Sequence, residues 1–140
     1  MNSSNQTDNE TICKNIFAEF RGRLTWKWDD WVGTILTEFD AEKEDDIRAV
    51  LEKFLPISWD SANINTAPQI VQKLDKHLGG IRPAQLLFSS DPSADAFVFC
   101  AWWPWGNGTT ISLRIAPFSK DISQAEDDKL IGKLKVMADV

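Results

Sequence analysis

The sequence predicts an α+β protein in which a three-stranded antiparallel meander packs against four to five helices, most of them N-terminal and one C-terminal. Three observations predict it. Apolar residues recur at spacings of three and four through most of residues 12–78, the period shortens to two between 84 and 116, and a capped amphipathic segment closes the chain.

Residues 1–9 are polar, without a basic or an apolar stretch, and read as a disordered tail rather than a signal peptide; residues 10–140 read as one domain. Ile12, Ile16, Phe17, Phe20 and Leu24 then mark an amphipathic helix from about Asn9 to Arg23. Trp28, Trp31, Val32, Ile35, Leu36 and Phe39 repeat the spacing and predict a second helix, although Trp26 and Trp28 also suit a short strand. Ile47, Val50, Leu51, Phe54 and Leu55 form the face of a third, stopped by Pro56. Thr66 and Gln69 have the spacing of a capping box, with Pro68 in the first turn, for a fourth helix that ends at Gly79-Gly80.

Ala84–Ser89 reads as a short strand followed by a turn at Asp91-Pro92-Ser93. Phe97–Trp103 is apolar on both faces, which predicts a central strand covered on both sides. Thr109–Ala116 alternates, with Ile111, Leu113 and Ile115 opposite Ser112 and Arg114, and Pro117 is expected to close it. Between these strands residues 104–108 form a hairpin loop. Ser123 and Glu126 make a second capping box for a last helix burying Leu130, Ile131, Leu134 and Met137. Gly132 inside it costs about 1 kcal/mol relative to Ala, so that helix leans on packing.

Composition narrows the function classes. Twenty-one acidic against fifteen basic residues give a net charge of −6, which disfavours nucleic acid and anionic membranes and favours a basic protein partner. No apolar run approaches the roughly 20 residues that span a bilayer. The two cysteines, Cys13 and Cys100, are too few for a disulfide framework, and together with the missing signal peptide they suggest the cytoplasm.

Catalytic and metal motifs are sparse. His77 is the sole histidine and sits where a helix C-terminus is expected, a position that favours a cationic ring without any catalytic duty. Cys13, His77 and Cys100 lack metal-ligand spacing, and Gly106-Asn107-Gly108 lacks that of a phosphate cradle, so no metal or cofactor is expected. The carboxylates Asp29, Asp30, Asp91 and Asp95 are the candidates for a small hydrolase.

The seven tryptophans, in a chain without tyrosine, are the strongest lead. Trp28 and Trp31 fit the core face of the predicted second helix, and Trp59 fits the space under a loop. Neighbours on a strand, Trp102 and Trp103 must point to opposite faces. Trp105 lies in the loop. The expected function is a non-catalytic protein-binding module, of the inhibitor, toxin-immunity or secretion-chaperone type, either monomer or homodimer. Its contact residues would be Trp103, Trp105 and Asn107, with the acidic residues Glu42, Glu44, Asp45 and Asp46 steering a basic partner. The alternatives are a Trp platform for carbohydrate or another small ligand, and the carboxylate hydrolase.

Overall fold

The computed structural model describes residues 2–31, 33–93, 96–120 and 122–140. Among them six strands form one antiparallel sheet: β1 (Lys27–Asp29), β2 (Thr34–Asp40), β3 (Ile57–Trp59), β4 (Leu86–Ser89), β5 (Ala96–Pro104) and β6 (Thr110–Ser119). Their order across the sheet is β1-β2-β6-β5-β4-β3. The described α-helices are α1 (Asn2–Phe20), α2 (Glu44–Phe54), α3 (Gln69–His77) and α4 (Gln124–Ala138). The α+β class and the β4-β5-β6 meander are as the sequence predicts; the sheet is twice as wide.

The extra width has two sources. Residues 27–40, expected to be a helix, form the β1–β2 hairpin, in register Lys27↔Leu36 to Asp29↔Thr34. Over so few residues the same apolar positions satisfy both periods, and β-branched Thr34, Ile35 and Thr37 tip the balance to strand. Gly33, at φ +68°, closes the turn, and its N–H donates to the Asp29 carbonyl at 3.0 Å. Val32, assigned to that helix's apolar face, lies outside the described residues. The second source is β3, whose three residues are too short to carry a periodic signal.

Several boundaries move for local reasons. The first helix begins at Asn2, ahead of its first apolar residue, so its start is invisible to periodicity. The Thr66–Gln69 capping box does not form: Thr66 lies in a short 3-10 turn, its hydroxyl donates to the Asn63 carbonyl at 2.7 Å, and α3 starts behind Pro68. Gly79 and Gly80, at φ +99° and +85°, do end α3. Ser123 caps α4 by accepting from the Glu126 N–H at 3.2 Å. Pro117 does not close β6, which runs on to Ser119. Its partner on β5 is Val98, while the β2 ladder has already finished at Ile35↔Ile115, so Pro117 has no β2 neighbour to disappoint.

The two faces of the sheet differ. Val98, Cys100 and Trp102 of β5, Leu113 and Ile115 of β6, Ile35 and Phe39 of β2, and Phe88 of β4 share one face by register. Helix α1 packs on it with Cys13, Ile16, Phe17 and Phe20, flanked by α2 and α4. Trp102 is the centre of this layer, edge-on to Phe39 at 5.5 Å and to Phe88 at 5.9 Å. Surface ion pairs, Lys53–Glu19 at 3.3 Å and Lys133–Glu10 at 3.1 Å, tie α2 and α4 to α1 and add little.

The opposite face carries Leu87, Phe99, Ala101 and Trp103, and then Ser112, Arg114, Leu36 and Glu38 toward β1. Helix α3 and the segment after it cover its β4–β5 side, where Leu78 and Ile81 meet Leu87 and Ala101. Nine residues make α3 about 14 Å long, against roughly 24 Å across six strands. The β6-β2-β1 side is therefore left to side chains.

Both cysteines are free and buried. Burial, with a smaller push from the Glu10 charge, raises the Cys13 thiol to about 12, and burial raises Cys100 as well. Neither thiol should react with iodoacetamide at pH 8 in the native protein, and both should react once denaturant is added; alkylation of the folded chain would contradict the packing. Trp102→Ala should lower unfolding free energy by about 3–5 kcal/mol in a denaturant titration.

Candidate functional site

On the uncovered part of the α3-side face, Trp31, Trp103 and Trp105 border a cleft of about 480 Å³, together with Glu38, Arg82 and Arg114. Three chain segments present its indoles, and residues 78–85, after α3, form the facing wall. Trp103 stands on β5, on the face opposite Trp102, as strand alternation requires. Trp31 is presented by the β1–β2 turn. Trp105 follows β5 in the hairpin loop, where its backbone N–H donates to the Thr110 carbonyl at 2.8 Å and its indole Nε1–H donates to Ser112 Oγ at 2.6 Å. Asn107 shapes the same loop, its Oδ1 accepting from the N–H groups of Thr109 and Thr110 at 2.9 and 3.2 Å.

Arg114 organises the floor. Its guanidinium carbon lies 4.4 Å from the centroid of Trp103 and 5.7 Å from that of Trp31. In the same position its Nε–H donates to Asp29 Oδ2 at 3.0 Å, with both side chains largely buried at 13% and 16% exposure. Asp29 uses its other oxygen to accept the Trp31 backbone N–H at 3.2 Å. One carboxylate thus fixes the turn that carries Trp31 and neutralises the cation beneath it. The Trp31 and Trp103 rings meet at 6.3 Å with a 65° tilt, so they are walls rather than a coplanar platform.

The sequence-predicted contact residues fall into two neighbouring groups. Trp103 and Trp105 line the cleft, and Asn107 braces its loop. Glu42, Glu44, Asp45 and Asp46 lie at the same end of the sheet, where the Ala41 N–H donates to the Thr109 carbonyl at 2.8 Å. All four acids are exposed, on a 3-10 turn and the first turn of α2, where negative charge suits the helix dipole. Glu38 and Asp40, on the cleft's face of β2, extend this acidic stretch toward the indoles.

Trp31 is the residue that the helical reading misplaces: expected in the core, it is 73% exposed. Trp28 is half-buried under Lys135, whose ammonium lies 4.6 Å from its ring, and Trp59 is buried on an edge strand. Arg82 is not a candidate from the sequence, Arg114 appears there only as the polar side of a strand, and Glu38 only as the first member of the acidic run 38–46. Arg114 and Ser112 are visible there as the polar side of an alternating strand, but their neighbours on β2 become apparent only once the hairpin is known. A hollow of similar size, about 540 Å³, lies between the C-terminal ends of α1 and α4; it gathers one indole, Trp26, which is buried.

The carboxylates considered for hydrolysis do not assemble. Asp29 is committed to Arg114, and Asp30 accepts from the Trp28 indole. Asp91 is exposed and held below the usual carboxylate range by hydrogen bonds from the backbone and side chain of Ser93, the wrong direction for a general acid. Asp95 lies outside the described residues. Partial burial raises Asp75, but this carboxyl sits on α3, apart from the others. His77 is exposed in the last turn of α3, and no metal-holding group of three or more His, Cys, Asp or Glu occurs among the described residues. No described helix is long and apolar enough to cross a membrane.

Comparison with protein-family models, curated proteins and solved structures gives no match. The chemistry of the cleft is therefore the whole basis for a functional reading.

Asp29→Asn should destabilise the protein by roughly 2–4 kcal/mol, because it leaves the largely buried Arg114 charge without its counter-ion. Trp31→Ala should stay within about 0.5 kcal/mol of the parent, since the ring is mostly in water. Equal losses in the two variants, read from urea midpoints, would contradict this account of the floor.

Proposed function

We propose that the protein is a non-catalytic protein-binding module that docks a basic partner through the tryptophan cleft. One observation carries the reading. Two exposed indoles, Trp31 at 73% and Trp105 at 44%, stand with Trp103 around a cleft on the sheet face beyond the end of α3, left open by the described helices. Aromatic rings have few rotatable bonds and lose little conformational freedom on contact, and such residues dominate the energetics of interfaces.

The acidic stretch from Glu38 through Asp46 adds the charge term. Its carboxylates are exposed, and Glu38 at its near end lines the cleft, so the stretch would speed encounter with a positively charged surface and repel an acidic one. Inhibitors and immunity-type proteins work in this manner, by occluding rather than transforming what they bind. The 65° tilt between Trp31 and Trp103 argues against a flat sugar platform, which needs coplanar rings. The scattered carboxylates argue against the hydrolase.

Affinity capture from the native cell tests the proposal, using the parent chain and a W31A/W105A bait whose thermal melt matches the parent. A basic protein should be retained by the parent at low salt, weakened at high salt and lost on the doubly substituted bait. Identical captures on both baits would refute the assignment of the cleft.

A further inference from the structure

We propose that the cleft recognises an arginine side chain of the partner, its guanidinium laid on the exposed indoles of Trp31 and Trp105 and its N–H edge directed at Glu38. This rests on the docking reading above and gives the partner its anchoring residue.

The fold itself contains the template. Arg114 combines an indole under its plane, Trp103 at 4.4 Å, with a carboxylate in line with its edge, Asp29 at 3.0 Å. A planar guanidinium satisfies both at once, because stacking uses its face and hydrogen bonding uses its rim. The same kinds of group recur along the cleft: the exposed rings of Trp105 and of Trp31, the latter 5.7 Å from the Arg114 guanidinium, and the Glu38 carboxylate beside Ser112 on the same face, whose ion-pair partner is the exposed Lys27.

Glu38 is free enough to serve. Its nearest cation is Lys27, with Nζ at 3.5 Å and a side chain 65% exposed, a solvent-screened contact that an incoming guanidinium can displace. Arg114 does not oppose an incoming cation strongly, since Asp29 already balances its charge. Arg82, on the rim near Gly79-Gly80, has no ion-pair partner among the described residues and is the one cleft cation that would repel the guest. The exposed acids Glu42, Glu44, Asp45 and Asp46 supply the opposite bias from the hairpin end. Lysine is the poorer guest, for its ammonium is compact, more strongly hydrated and unable to stack.

The test uses the full chain and four probes: acetyl-Gly-Arg-Gly-amide, its lysine and citrulline counterparts, and a methyl glucoside. Binding is followed through the indole N–H resonances. The arginine probe should shift those of Trp31, Trp103 and Trp105, and the uncharged citrulline isostere should bind about five-fold more weakly or worse. Glu38→Gln, an exposed change that keeps the side-chain shape, should weaken the arginine probe and leave the citrulline one unchanged. Arg82→Gln should strengthen the arginine probe.

Equal binding of arginine, lysine and citrulline probes, indifference to Glu38→Gln, or a response of these indoles to the glucoside alone would overturn the proposal. If a partner is lost on the W31A/W105A bait while the arginine probe moves no indole, docking at the cleft stands and its anchoring by arginine falls.

Discussion

A sheet strand that is apolar on both sides must be covered on both sides, and β5 imposes that demand on the whole molecule. One face is served by three helices, with α1 laid across β5 and β6. Among the described helices the other has only α3, whose nine residues cannot extend over all six strands. What covers the remainder is a set of side chains: Arg114 held by Asp29, with Trp31 and Trp103 against the guanidinium. The candidate site exists because this second cover stops short.

Cover by a stacked cation differs from cover by a helix. A helix would seal the face and leave nothing for another molecule to touch. Arg114 fills the floor with its planar head, satisfies its charge through Asp29, and leaves the outer parts of Trp31 and Trp105 in water. The arrangement costs desolvation of one charge pair, which the two hydrogen bonds to Asp29 and the ring contacts offset. The rim is polar and the walls are aromatic, the composition expected of a contact surface that must remain soluble when empty.

Much of the fold was legible in the sequence, and the reasons it was not fully so are specific. The periods of α2, α3, β6 and α4 are each carried by enough residues to be read directly, β5 is marked by its short unbroken apolar run, and Ser123, Pro56 and Gly79-Gly80 punctuate them. Residues 27–40 invite a helical reading because Trp28, Trp31, Ile35 and Phe39 fit a helical stripe, while the strand pattern of Thr34–Asp40 is only seven residues long and is parted from the three residues of β1 by the turn. A helical reading hides Trp31 in a core. It also breaks the link between Asp29 and Arg114, 85 residues apart in sequence. Trp103, Trp105, Asn107 and the acids at 42–46 were found because their local context is enough: a loop aromatic between Pro104 and Gly106 and a dense run of charge need no tertiary information. Glu38, by contrast, acquires meaning only when β2 is placed beside β6.

The half-covered face can be examined directly by adding a soluble paramagnetic agent and measuring line broadening at the ring protons of all seven tryptophans. Strong broadening is expected at Trp31, clear broadening at Trp105, and sparing of Trp26, Trp59 and Trp102, independent of protein concentration. Protection of Trp31 to the level of Trp102 would mean that something already covers the β6-β2-β1 side, and the cleft would not be the open surface on which this view of the protein depends.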